Sequence, residues 1–338
     1  MNTPFLVIAP ALLFVAIVMD FLPRRPRRGL YFGVTTGAPF ALSPEGRTIA
    51  SRYRLVIWAA FAIAIGMAYA GFALAAVPVQ ASLGLLAWLR AWRRASHHAT
   101  APGTVRAAPL QYDERISSWI APLLLASFAI LAAAAALLYL NFNALPDRFP
   151  THYGMNGKAD AFAAKSYGTV FLPLVVGALV SALMALNVYG IAYGSRRGGS
   201  PETQGFRIEQ RRFLSRLLAA LGLVVSLMCS YIAVSPVTSN VGLPGGPWVI
   251  PTSVAGILGL SLWSVLRWQE HAGGPGDDTP DSCWKGGMIY FNAEDPALMV
   301  ERRNGLGYTP NFAQPLGWAM IVLVAMLVAA PFLLHSLG

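Results

Sequence analysis

Charge is scarce in this chain. Asp, Glu, Lys and Arg make up 12% of its 338 residues, against roughly 25% in a soluble domain, which excludes a water-facing surface over most of the chain. Cysteine is rarer still. Cys229 and Cys283 stand far apart, form no CxxC or Cys/His metal pattern and imply no disulfide framework. Catalytic constellations are missing too: the sequence has no HExxH, no nucleophile elbow and no paired carboxylates inside an apolar run. "GMNGKAD" has two residues between its glycines instead of four, and Ala159 rather than Ser or Thr after Lys158, which excludes a phosphate-binding P-loop. The expectation is a protein that is not an enzyme and uses no cofactor or metal. Lysine is nearly absent, with Lys158, Lys165 and Lys285 the only three among 25 basic residues. The net charge of +10 sits in short clusters beside apolar runs rather than on one polar domain, so no nucleic-acid partner is expected.

Hydrophobic residues, by contrast, are 56% of the chain and fall in long runs near 4–22, 119–140, 167–193, 213–234, 248–266 and 316–337. A helix needs about 20 mostly apolar residues to cross a hydrocarbon core roughly 30 Å thick, so each run is predicted to span a membrane. No residue from 55 to 89 is charged. As one helix that stretch would be about 52 Å long at 1.5 Å per residue, and two short helices with a tight turn near Gly71 fit better. The basic residues test the choice. With two helices, cytoplasmic loops carry seven, five, six and four Lys or Arg, and only Arg148, Lys158 and Lys165 lie outside; with one, 10 lie inside and 15 outside.

The expected architecture is therefore an all-α polytopic membrane protein with about eight transmembrane helices, both termini outside, and a small cytoplasmic β-hairpin element. The first run ends in "PRRPRR" rather than a small-residue cleavage site, so it is read as an uncleaved span. Within the spans Asp20 is expected to form an ion pair at the inner edge, Asn187 to hydrogen-bond between helices, and Cys229 to pack.

Two polar segments interrupt the runs. "LPDRFPTHYGMNGKAD" follows the fourth span and is predicted to face outward. Its two X-Pro pairs favour extended backbone, and Asn156-Gly157 is a tight-turn signal. It reads as an ordered cap over 145–165. Asp147, Arg148, His152, Asn156, Asp160 and Lys165 are its candidate ligand-binding residues. The plainer reading has His152 and Asn156 bonding the loop backbone and Asp147 pairing with Arg148 or Lys165. A metal on His152, Asp147 and Asp160 matches no zinc spacing.

The second polar segment, 269–315, is predicted to be cytoplasmic. There "GGMIYF" and "ALMVER" read as strands joined by the turn "NAEDP". Too short for a core of its own, it is expected to lean on cytoplasmic loops or a second subunit. Trp284, Tyr290, Phe291 and Tyr308 are most simply its core, and Asn292 and Asp295 suit turns; Trp284, Tyr290, Asn292, Asp295, Tyr308 and Asn311 are also candidate contacts for a cytoplasmic partner.

These residues carry a resemblance. Pro146, Arg148, Pro150, His152, Asn156, Gly157, Asp160 and Lys165 resemble the signature of SdpI-like bacterial membrane proteins. The aromatic tail usual in that motif is replaced here by "AFAAK", which keeps only Phe162. "WKGGMIYFNAEDPALMVERRNGLGYTPNFAQP" resembles a short domain of unknown function that follows the motif in longer members, and "YFGVTTG" is similar to the start of their first cytoplasmic loop. The resemblance touches about a third of the chain. It implies the bacterial cytoplasmic (inner) membrane and, from the protein that names the family, immunity to a secreted toxic peptide with signalling of its presence.

The chain then divides into a three-span region 1–118, a motif region 119–195, two spans in 196–268, the cytoplasmic element 269–315 and a last span 316–338. The expected function is a receptor or immunity protein against a membrane-active peptide, relaying a signal to the cytoplasm. Its partners would be the lipid membrane, an extracellular peptide toxin and a cytoplasmic regulator. The alternative is a transporter or exporter of a hydrophobic substrate, and the oligomeric state stays open.

Overall fold

A computed structural model describes residues 3–21, 29–37, 39–100, 114–153, 157–192, 201–238, 279–303 and 307–336, with single helical positions at 248, 252, 256, 259 and 263. In chain order the elements are α1 (Thr3–Phe21), β1 (Leu30–Tyr31), β2 (Val34–Thr35), α2 (Pro44–Tyr69), α3 (Ala73–Ser96), α4 (Glu114–Leu140), β3 (Arg148–Tyr153) and β4 (Ala159–Ala164). They continue with α5 (Tyr167–Ala192), α6 (Pro201–Thr238), β5 (Trp284–Lys285), β6 (Ile289–Tyr290), β7 (Met299–Glu301), β8 (Tyr308–Pro310) and α7 (Pro315–Ser336). Among the described residues the strands form four two-stranded sheets, each a local pair: β1-β2, β3-β4, β5-β6 and β7-β8. Among the described residues four helical segments are long and apolar enough to cross a membrane: Pro44–Tyr69, Ile120–Leu140, Tyr167–Ala192 and Ile208–Val237. Ile8–Phe21 and Pro315–Ala330 are shorter apolar helices, and the expected span 248–266 lies almost wholly outside the described residues. The structure is that of a multi-pass membrane protein, mostly helical with small β-hairpins.

Two helices begin well before their apolar runs. Ser43 caps α2 by accepting a bond from Gly46 N at 3.0 Å, with Pro44 in the first turn and Glu45 behind it. The helix therefore takes in Arg47, Arg52 and Arg54, and α6 likewise starts at Pro201 rather than near 213. Hydropathy marks only the length that crosses lipid, whereas hydrogen bonding carries a helix on into the polar zone.

The chain divides into two compact units: Met1–Ala107 with Gln269–Asn292 and Glu301–Thr309, and Ala108–Trp268 with Ala293–Val300 and Pro310–Gly338. In the first, α2 ends at a turn in which Gly71 takes φ 94° and Phe72 N donates to Met67 O at 2.9 Å. The expected break near Gly71 is there. α3 then runs back along α2, so that Thr100, just past its end, donates from N to Thr35 O at 2.7 Å. Ala60, Ala64 and Ala68 line the buried face of α2 four residues apart, allowing close helix approach. Gln80 of α3 donates to Leu12 O of α1 at 3.0 Å, and Asp20 of α1 pairs with Arg54 of α2 at 2.8 Å. The ion pair expected of Asp20 thus forms between helices.

In the second unit, α4, α5 and α6 pack on a core of Leu131, Leu138, Leu174, Cys229 and Ala233. Ser181 and Ser226 join α5 to α6 through their hydroxyls at 2.8 Å. Asn187 departs from expectation: its Nδ2 donates to Leu183 O at 2.8 Å in its own helix, a bond that satisfies the amide without a neighbour.

Candidate functional sites

The polar stretch between α4 and α5 is a β-hairpin. β3 and β4 pair antiparallel from Arg148 opposite Ala164 to Tyr153 opposite Ala159, with the register broken between Pro150 and His152. A proline is tolerated in such a pair because each strand has a free edge. One side anchors the hairpin: Leu145 and Phe149, the latter 2% exposed, are buried against Leu138, Val170, Leu174 and Ala233. Tyr153 adds a tie at the far end of β3, its hydroxyl 3.2 Å from Ser235 Oγ of α6, and burial pushes that phenol above its ordinary pKa.

Lys165 closes the hairpin's base. Its N donates to Asp147 O at 2.8 Å, its Nζ donates to Leu145 O at 2.9 Å and lies 3.4 Å from Asp147 Oδ1, and the Phe142 ring is 5.8 Å away. The Asp147 side chain is 98% exposed, so that ion pair contributes little; the backbone bonds hold the base. Arg148 lies over the Phe162 ring at 5.6 Å, and Asp160 is exposed on β4. His152 pairs with Ala161 in the strand register. Asn156 falls outside the described residues. The structure thus brings Asp147, Arg148, Asp160 and Lys165 onto one hairpin, with Lys165 facing the protein and the other three facing away from it.

The second polar segment contains two hairpins where the sequence suggested one. "GGMIYF" and "ALMVER" do not pair with each other: β6 pairs back with β5, Trp284 opposite Tyr290, and β7 pairs forward with β8. Successive glycines at 286 and 287, both at positive φ, turn the chain at once. "NAEDP" instead becomes an Asx turn in which Asp295 Oδ1 accepts from Ala297 N at 2.9 Å.

In the first unit, β5-β6 docks on β1-β2. A guanidinium joins them. Arg303, its side chain 2% exposed, donates through Nη1 to Asp281 Oδ1 and Gly33 O, both at 2.6 Å, and through Nη2 to Thr35 Oγ1 at 2.9 Å and Thr279 O at 3.1 Å. Thr35 completes the circuit, its Oγ1 donating to Asp281 Oδ1 at 2.9 Å and its N to Asp281 Oδ2 at 3.1 Å. Trp284 lies 5.7 Å from the guanidinium and donates from Nε1 to Thr279 Oγ1 at 2.7 Å; Trp88 of α3 donates to Gly286 O at 3.0 Å. Beneath, Tyr31 donates to Gly46 O at 2.6 Å, and burial pushes its hydroxyl up to about 12.

Of the six residues considered for a cytoplasmic partner, Trp284, Tyr290 and Asn311 are 2%, 1% and 0% exposed, and each braces the inside of its own unit. Asn292 Nδ2 donates to Tyr290 Oη at 3.3 Å, and Tyr308 O accepts from Arg302 Nε at 3.2 Å. Asn311 Nδ2 and Gln314 Nε2 of the second unit both donate to Asp295 O at 2.8 Å, fixing the Asx turn at the start of α7. Sequence reasoning counted Arg303 only as a topology charge and passed over Asp281 and Thr35. "YFGVTTG" was the one available signal for that site.

Two comparisons bear on these segments. Residues 129–177, from α4 through the hairpin into α5, match a domain of unknown function, DUF1648. Residues 293–318, from the Asx turn to the start of α7, match a family of unknown function, DUF5808. No curated protein and no solved structure matches the chain. The two matches fall on the β3-β4 hairpin with its flanking helices and on the segment that leads into α7.

Proposed function

We propose that the protein is a non-enzymatic receptor or immunity protein for a membrane-active peptide, engaged at the β3-β4 hairpin. The carrying observation is the division of that hairpin. Phe149 and Leu145 fasten it to the helix bundle, while Asp147, Arg148, Asp160 and Phe162 stay exposed. Charges of both signs beside an aromatic ring suit an amphipathic peptide approaching from water. The likeness of "LPDRFPTHYGMNGKAD" to SdpI-like proteins supports the same reading. In it the chain crosses the bacterial inner membrane eight times, with the hairpin outside and the Arg303 network inside, where that network would couple the last loop to the first.

The test is survival. A strain lacking the gene, challenged with membrane-active peptides and with its own culture supernatant, should be sensitised and rescued by the wild-type chain. An Arg148→Ala/Asp160→Asn double variant, present at normal level, should fail to rescue. Rescue by that variant would remove the hairpin from the mechanism. Equal survival of all strains would sink the immunity reading, and substrate-dependent flux in proteoliposomes would then identify a transporter.

A further inference from the structure

The buried face of α6 reads Ser215, Ala219, Gly222, Ser226, Cys229 and Ala233, spaced three and four residues apart. It packs on both neighbours: a Cβ at Gly222 would touch Met184 of α5 and Ser127 of α4. Arg211 extends this face one turn beyond Ser215. It is 6% exposed, and its Nε and Nη2 have no hydrogen-bond partner among the described residues; nor has Ser215 Oγ.

That arrangement is costly as it stands. A guanidinium does not shed its proton, so burial cannot be relieved by neutralisation as it can for lysine. A buried charge without a partner is strongly destabilising. The two open nitrogens are also the ones that matter. Nε and Nη2 share the edge of the guanidinium whose parallel N–H bonds match two oxygens of one carboxylate or phosphate. Ser215, at i+4, lies on the same face and offers a third donor. Glu209 is exposed, off this face, and Arg212 and Arg216 add positive charge nearby.

Arg211 also lies near one end of the apolar segment Ile208–Val237, at the depth where phospholipid headgroups meet the hydrocarbon. By its basic residues this end is expected on the cytoplasmic side, whose leaflet is rich in anionic lipid. We propose that Arg211 and Ser215 form an oxyanion site filled by the phosphate of an anionic phospholipid. The lipid would then be a structural partner of the α4-α5-α6 bundle, a role independent of any peptide at the hairpin.

The experiment uses the full chain, delipidated in a non-ionic detergent and titrated with phosphatidylglycerol, phosphatidylcholine or inorganic phosphate. Thermal melting and native mass spectrometry read binding. Phosphatidylglycerol should stabilise the wild type and remain bound, and phosphatidylcholine, its phosphate offset by choline, should bind more weakly. Arg211→Gln should weaken binding by roughly tenfold or more, and Arg211→Lys, which keeps the charge but loses the fork, by a comparable factor. Exposed Arg216→Gln should stay within about twofold of wild type. Stabilisation by inorganic phosphate alone, lost in Arg211→Gln, would keep the oxyanion site but overturn the lipid as its occupant. Unchanged lipid binding in a folded Arg211→Lys, an Arg216→Gln loss as large as that of Arg211→Gln, or no ligand bound to the wild type would each overturn the site.

Discussion

Arg303 uses four hydrogen bonds to join three pieces of chain: Gly33 and Thr35 from the first hairpin, Thr279 and Asp281 from the docked segment, and its own turn just past β7. Its worth is asymmetric. Asp281 is 30% exposed and can turn to water, whereas Gly33 O and Thr279 O would each lose a partner, and a lone arginine left by Asp281→Asn would be a buried charge without its counter-ion. Asp281→Asn should therefore lower the stability of the first unit by about 3–5 kcal/mol, and Arg303→Met, which leaves only the partly exposed Asp281, by less. Arg303→Lys should fall between wild type and Arg303→Met, since an ammonium keeps the charge but cannot reproduce the fork. Melting in detergent, followed by tryptophan fluorescence, checks this; curves coincident with wild type would show that the network contributes nothing. Little of it was legible. Arg303 and Thr35 are separated by 268 positions, and nothing local distinguishes an arginine that anchors a fold from one that sets topology. Asp20 shows the same limit in milder form, its ion pair anticipated but its partner supplied by another helix.

Among the elements, what could be read was what a single stretch decides for itself. The break between α2 and α3 follows from a charge-free run too long for one bilayer crossing, and the extended backbone at the start of the cap from its two X-Pro pairs. The pairing of β5 to β8 could not be read, because two strand-like runs next to each other in sequence need not be partners in space, and the glycines at 286 and 287 close a tighter turn first. Gly33 depends on the same docking. It takes φ 74°, and a Cβ there would overlap the Gly287 carbonyl oxygen and come within 2.7 Å of Gly287 Cα, whereas a Cβ on Gly71 would meet nothing within 4 Å. Both replacements strain the backbone by about 1–2 kcal/mol, but only Gly33→Ala must also push the two hairpins apart. It should destabilise the first unit clearly more than Gly71→Ala and expose residues 279–292 to protease. Equal effects of the two variants would mean that the docked contact is not held in the folded protein.

At the scale of the molecule, hydrogen bonds limit how the chain can thread a membrane. Thr35 bonds both Thr100 and Asp281, so all three stand on one side. In the proposed path α2 and α3, which lie between Thr35 and Thr100, run one out and one back. In the proposed path α4, α5 and α6 are three crossings between Thr100 and Asp281, and an odd number would leave Asp281 on the wrong side. The proposed path therefore includes one more crossing, for which the run 248–266 has the apolar length by its sequence. With α1 and α7 the proposed path has eight spans. It places the hairpin on the side opposite Thr35, in agreement with the division of basic residues. Accessibility of single cysteines checks this in a background where Cys229 and Cys283 are replaced by serine. In intact spheroplasts an impermeant maleimide should label Asp147→Cys, whose position is 98% exposed, and should label exposed Ser282→Cys only after the membrane is opened. Labelling of both from the same side would mean that the chain crosses an even number of times between 147 and 282, and the eight-span path would fall. Labelling of Ser282→Cys alone would keep the count and invert the protein, moving the hairpin to the cytoplasm and removing it as a receptor for an extracellular peptide.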